Sequence, residues 1–79
     1  MHLTVKLYAT LNRYGWGERS GAPFEIELPE EATLRDLVNQ LTIPPEETHI
    51  IFVNGIIQEP DCKLKEGDEV GMFPPVGGG

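Results

Sequence analysis

The chain opens on strict alternation: Leu3, Val5, Leu7 and Ala9 are apolar, and His2, Thr4, Lys6, Tyr8 and Thr10 fall between them. A period of two puts the first set on one face of an extended strand and the second set on the other. Residues 12–22 are polar and carry Gly15, Gly17 and Gly21, which predicts a loop or a long hairpin connection. Alternation returns with Phe24, Ile26 and Leu28 separated by Glu25 and Glu27. Pro29 then stops the strand, because it has no N–H to give to a ladder. Two antiparallel strands joined by a loose connection are the simplest arrangement of this half.

The period then lengthens. Leu34, Leu37, Val38 and Leu41 form an apolar stripe along one side of a helix. Thr33 stands where it can cap the first N–H groups, with Asp36 three residues on as the acid of a capping box. Glu30 and Glu31 precede that start, where the helix dipole favours negative charge. Ile43 comes before Pro44-Pro45, a pair that disfavours helical geometry and ends the element. A helix of two to three turns persists only by packing its stripe on a sheet.

Beyond the prolines, Ile50-Ile51-Phe52-Val53 is continuously apolar and fits a strand buried on both faces, which periodicity alone does not separate from a helix. Asn54-Gly55 follows at once and predicts a hairpin into Ile56-Ile57, since both turn positions tolerate positive φ. Pro60-Asp61 and Glu66-Gly67-Asp68 mark further turns. Glu69-Val70-Gly71-Met72-Phe73 is the last strand, cut off by Pro74-Pro75, and Val76-Gly77-Gly78-Gly79 lies beyond regular structure. Strand, strand, helix, strand, short strand, strand is an α+β layer pair, one helix across a small mixed sheet. The crossover that carries the helix is expected to be right-handed.

Composition narrows the function. A chain of 79 residues supports one domain with a thin core, and there is little room for an enclosed active site. Six Lys and Arg against 13 Asp and Glu leave a net charge of −7. That balance argues against nucleic acid and against an anionic membrane, both of which call for basic clusters. No apolar stretch approaches the ~20 residues that span a bilayer. The opening residues lack the basic and long apolar regions of a signal peptide, so a cytoplasmic location is expected. One cysteine cannot staple a small fold, which fits a reducing compartment. A protein partner would offer a basic or mixed surface, and the attraction would weaken with salt.

Candidates for internal chemistry are few. His2 sits on the polar side of the first strand and His49 in a loop, and both read as solvent-facing rather than catalytic. Neither pairs with Cys62 at a spacing that suits a metal or a thiol–imidazole couple, so no metal site is expected. Cys62 lies in a turn between Asp61 and Lys63 and reads as an incidental thiol. The carboxylates form either a solvated acidic surface or a docking face for a basic partner.

The C-terminal segment stands apart. Pro74 and Pro75 set an extended course off the end of a strand. Gly77, Gly78 and Gly79 carry no Cβ, so a terminal carboxylate there can thread a channel that a larger residue would block. The four residues after Pro75 reach up to about 13 Å from the body at ~3.3 Å each. A free carboxylate is a poor electrophile until ATP converts it to an acyl-adenylate, which sulfur or an amine can attack. The plain alternative is an ordinary frayed terminus or a linker.

Three stretches together resemble the MoaD/ThiS family of ubiquitin-like sulfur carriers. They are Phe52-Val53-Asn54-Gly55, Leu64 through Val70, and Phe73-Pro74-Pro75-Val76-Gly77-Gly78-Gly79, supported by Val5-Lys6-Leu7-Tyr8-Ala9 and the helix start at Thr33-Leu34-Arg35-Asp36-Leu37. The ending is most similar to the MoaD branch, the small subunit of molybdopterin synthase, with Gly77 where that branch often has Ala. The resemblance implies a β-grasp (ubiquitin-like) domain over residues 1–75, with parallel first and last strands, and a flexible tail over 76–79. It implies a carrier and co-substrate rather than an enzyme, at most the non-catalytic small subunit of a synthase, with no bound cofactor. A ubiquitin-activating-type adenylating enzyme would use ATP to adenylate Gly79, and a sulfur donor would convert it to a thiocarboxylate. Gly77 and Gly78 would form the slim stalk, and Phe73, Pro74, Pro75 and Val76 the neck that partners grip. The molybdopterin synthase large subunit would accept the sulfur. Another acceptor enzyme, as in thiamine synthesis, and conjugation to proteins through Gly79 are the alternatives.

Overall fold

A computed structural model describes residues 1–8, 11, 22–48 and 50–74. Five strands form one sheet: β1 (His2–Leu7), β2 (Phe24–Glu27), β3 (Ile50–Val53), β4 (Ile56–Ile57) and β5 (Glu69–Phe73). Their order is β2-β1-β5-β3-β4, so the last strand occupies the middle. β1 is antiparallel to β2 and parallel to β5, and β3 is antiparallel to both β4 and β5. One helix, α1 (Leu34–Gln40), and a 3-10 turn at Pro45–Glu47 lie between β2 and β3. This is the α+β, ubiquitin-like β-grasp arrangement.

The alternation of β1 becomes the core directly. Leu3, Val5 and Leu7 are buried and meet Leu34, Leu37, Val38 and Leu41 of the helical stripe, with Val70 and Met72 of β5, in one cluster. Each such side chain stabilises by about 1.5–3 kcal/mol when fully removed from water. Ala9 and most of the 12–22 connection lie outside the described residues.

The helix begins as its sequence predicts. Asp36 N donates to Thr33 Oγ1 at 3.3 Å, and Thr33 N donates to Asp36 Oδ2 at 2.9 Å. A further device comes from far along the chain: Leu34 N donates to Cys62 O at 3.0 Å and Arg35 N to Pro60 O at 2.9 Å. The turn at 60–62 thus occupies N–H groups that a helix start otherwise leaves to water. Lys63 Nζ meets Glu31 Oε1 at 2.9 Å beside it, an exposed pair worth about 0–1 kcal/mol.

Two expectations are corrected. The helix ends before the prolines act: Thr42 takes φ 58°, Ile43 N donates to Val38 O and Thr42 N to Asn39 O, a Schellman closure. Pro45 instead opens the 3-10 turn at Pro45–Glu47. β3 is not buried on both faces either. Ile51 and Val53 are buried, but Ile50 and Phe52 are half-buried, because α1 covers one side of the sheet only. The hairpin is as read, with Asn54 at φ 53° and Gly55 at φ 84°.

Candidate functional site

β5 ends at Phe73 in the centre of the sheet, and the described residues around that position are the candidate site. Of the expected neck and tail, Phe73 and Pro74 are described, while Pro75, Val76, Gly77, Gly78 and Gly79 lie outside the described residues. Phe73 closes β5 opposite Ile50 of β3. On the other flank Tyr8 N donates to Met72 O at 3.1 Å, carrying the pairing one residue past β1. Backbone bonds on both sides therefore hold the last strand up to the residue before Pro74.

Side chains fix the same point from the open face. The Tyr8 and Phe73 rings are stacked, with centroids 4.1 Å apart and planes 7° from parallel. The Phe52 ring meets Phe73 edge-on at 5.5 Å and 77°. Lys6 Nζ lies 5.0 Å from the centre of the Tyr8 ring, within cation–π range. Aromatic pairs of this kind contribute about 0.5–1.5 kcal/mol beyond the area they bury. Lys6, Gly71, Phe52 and Ile57 share one row of the register across four strands, and Ile57 is 61% exposed at its edge. An apolar surface thus surrounds the exit.

The opposite end of the same face is acidic. Thr4 is flanked by Glu25 of β2 and Glu69 of β5, and His2 by Glu27. His2 N donates to Glu66 Oε1 at 2.9 Å, and the His2 ring lies 3.4 Å from Glu66 Oε2. The backbone hydrogen bond from His2 is the main cause that holds the Glu66 carboxyl below its usual range. His2 is thus exposed yet engaged, more than the solvent-facing residue expected from its position. His49 is outside the described residues. Cys62 is a free, half-buried thiol whose Sγ lies 3.5 Å from Lys63 O.

Asp68 was legible only as a turn residue. It is buried, accepting from Lys65 N at 2.8 Å and from Asn54 Nδ2 at 2.9 Å, and Asn54 Oδ1 in turn accepts from Glu69 N at 2.9 Å. The network joins the β3–β4 hairpin to the start of β5. No local pattern marks Tyr8, Phe52, Lys6 and Gly71 as neighbours around the end of β5. A glycine inside an alternating strand, which often marks close approach, was the signal that could have drawn attention to Gly71.

Among the described residues no group of three or more His, Cys, Asp or Glu side chains is placed to hold a metal ion. No described helix is long and apolar enough to cross a membrane. The described arrangement is a central strand held on both flanks, with the Tyr8 and Phe52 rings packed on its last residue, Phe73.

Residues 17–79 match the model of the ThiS family, through the final glycines. No curated protein matches the chain by sequence. Among solved structures, a Pyrococcus furiosus chain described as molybdopterin converting factor subunit 1 is 34% identical. The match covers 95% of this chain and 98% of that one, with a TM-score of 0.72. Small archaeal modifier protein 1 of Haloferax volcanii is 22% identical over 95% and 98% of the two chains, with a TM-score of 0.73. A chain from the complex of subunits 1 and 2 of molybdopterin-converting factor from Helicobacter pylori is 21% identical over the full length of both, with a TM-score of 0.64. The last two likenesses speak to the fold alone.

Proposed function

The chain belongs to the ThiS family, a group of small ubiquitin-like carrier proteins, and on that footing we propose that it carries sulfur as a C-terminal thiocarboxylate on Gly79. The observation that carries this reading is the family match running through Gly79, on a domain whose central strand ends where the tail begins. In the proposed cycle a carboxylate oxygen of Gly79 attacks the α-phosphorus of ATP and pyrophosphate leaves. A hydrosulfide-level sulfur then attacks the acyl carbon and AMP leaves, which yields the thiocarboxylate. The catalytic groups belong to an adenylating enzyme of the ubiquitin-activating type. This chain supplies the electrophile and the surface that aligns it.

Gly77 and Gly78 form the slim stalk, and Phe73, Pro74, Pro75 and Val76 form the neck. Partners meet an apolar surface at Tyr8, Phe52 and Phe73, with an acidic margin at Glu25 and Glu69 that favours basic side chains. A sulfur acceptor of the molybdopterin synthase large-subunit type is favoured, because the 34% identical Pyrococcus chain is described as a molybdopterin converting factor subunit. A second reading shares the adenylate and differs only in the nucleophile: amide formation between Gly79 and a lysine amine.

The test is incubation with ATP, sulfide and an adenylating enzyme from the same organism, followed by intact-mass measurement. Exchange of one oxygen for sulfur on the wild-type chain supports the carrier. Gly79→Ala is expected to abolish that change with the melting temperature unaltered. Branched conjugates on lysines without any thiocarboxylate would replace this reading by the modifier.

A further inference from the structure

We propose that Gly71 is a positioning residue for the tail: it leaves the space in which Tyr8 lies flat against Phe73, and that stack sets where and in which direction the chain leaves the sheet. The inference rests on the reading of Gly79 as the reacting end.

Three observations converge on it. Gly71 does not take a positive φ, unlike Gly55 and Gly67, so its backbone does not call for glycine. A Cβ at this position would stand 3.3 Å from Tyr8 Cε2 and 4.0 Å from Phe73 Cε1. The 3.3 Å approach makes the Tyr8 ring give by a few tenths of an ångström for a methyl group and further for a branched side chain, while 4.0 Å from Phe73 is ordinary contact. The ring it is pushed along is Phe73, stacked 4.1 Å away and held from its other side by the edge of Phe52.

The consequence follows from chain geometry. Phe73 is the last residue of β5, and Pro74 after it has a ring-locked φ of about −65°. With the Phe73 side chain pinned, the direction of the chain at Pro74 is pinned too. An adenylating enzyme then meets an end whose origin is already set, so less ordering cost falls on binding. Lys6, over the Tyr8 ring, supports the same arrangement.

The experiment compares wild type, Gly71→Ala, Gly71→Val, Tyr8→Ala and the double variant Gly71→Val/Tyr8→Ala. Two readouts are taken: NMR ring-current shifts of the Tyr8 and Phe73 protons, and steady-state kinetics of ATP–pyrophosphate exchange with the adenylating enzyme. Gly71→Val is expected to erase the upfield shifts and raise KM for this chain about 2- to 10-fold, the range that one aromatic pair supports, with kcat within about 2-fold. Gly71→Ala gives a smaller change in the same direction, and it serves if the valine variant folds poorly. The double variant matches Tyr8→Ala alone, since a side chain at position 71 has nothing to displace once the ring is gone. Shifts lost with KM unchanged, shifts retained in Gly71→Val, or multiplicative effects in the double variant would each overturn the proposal. Wild type that supports no exchange at all would instead refute the reading of Gly79.

Discussion

Replacing Asp68 by Ala tests the network that ties the hairpin to the central strand. Asp68 is 8% exposed, and its carboxylate accepts from Lys65 N and Asn54 Nδ2. A hydrogen bond to a charged group contributes about 1.5–3 kcal/mol, and an abandoned buried donor costs a comparable amount. Both bonds are only partly buried, so the expected loss is about 2–4 kcal/mol, against a total of about 4–12 kcal/mol for a domain this small. The melting temperature should fall by about 8–30 °C. Urea unfolding of wild type, Asp68→Ala, Asn54→Gly and the double variant measures both the loss and its origin. Glycine at position 54 keeps the left-handed backbone free of strain, and its added chain entropy cancels in the double-mutant cycle. The double variant should lose less than the sum of the singles by about 0.5–3 kcal/mol, because each single strands the same bond. A loss below about 0.5 kcal/mol for Asp68→Ala, or strict additivity, would refute the assignment of this network as the tie.

Other changes test separate parts of the fold. Thr42→Gly should raise stability by about 0.5–1 kcal/mol, since a left-handed L-residue costs about 1–2 kcal/mol and the added chain entropy returns only part of that; thermal melts check it, and a lower melting temperature would count against strain at φ 58°. Leu37→Ala, at 0% exposure under the sheet, should cost about 2–5 kcal/mol in chemical denaturation. Glu66 has a folded-state pKa below its unfolded value, so its contribution is present above the usual carboxylate pKa and is lost as pH falls through the lowered one. Glu66→Gln should therefore melt with a shallower decline between pH 5 and pH 3, about the carboxylate range, and an unchanged decline would show that the His2 contact is without effect.

The charge of the molecule and its sheet order bear on the same function. An end strand in the middle of a sheet cannot fray without breaking pairing to both β1 and β3. The origin of the tail is thus among the most constrained points of a small domain. Acidic residues, Glu25, Glu27 and Glu69, gather at the other end of the open face, away from Phe73.

Period and punctuation alone determined the elements, because a buried face writes itself into every second or every third-to-fourth residue. The β1 alternation, the Thr33–Asp36 capping box, the Asn54-Gly55 hairpin and the α1 stripe were all legible on that ground. The end of β5 at Phe73 was legible too, through a proline that has no N–H to give to a ladder, while residues 75–79 lie outside the described residues. Contacts between distant segments decided the rest. The stacking of Tyr8 on Phe73, the carbonyls of 60–62 at the helix start, and the burial of Asp68 against Asn54 join residues up to 65 positions apart. No local pattern encodes such a pairing. The half-exposed state of β3 likewise depended on which side the single helix covers. An apolar run states only that burial is favourable, and the number of neighbouring layers decides how much of it is achieved.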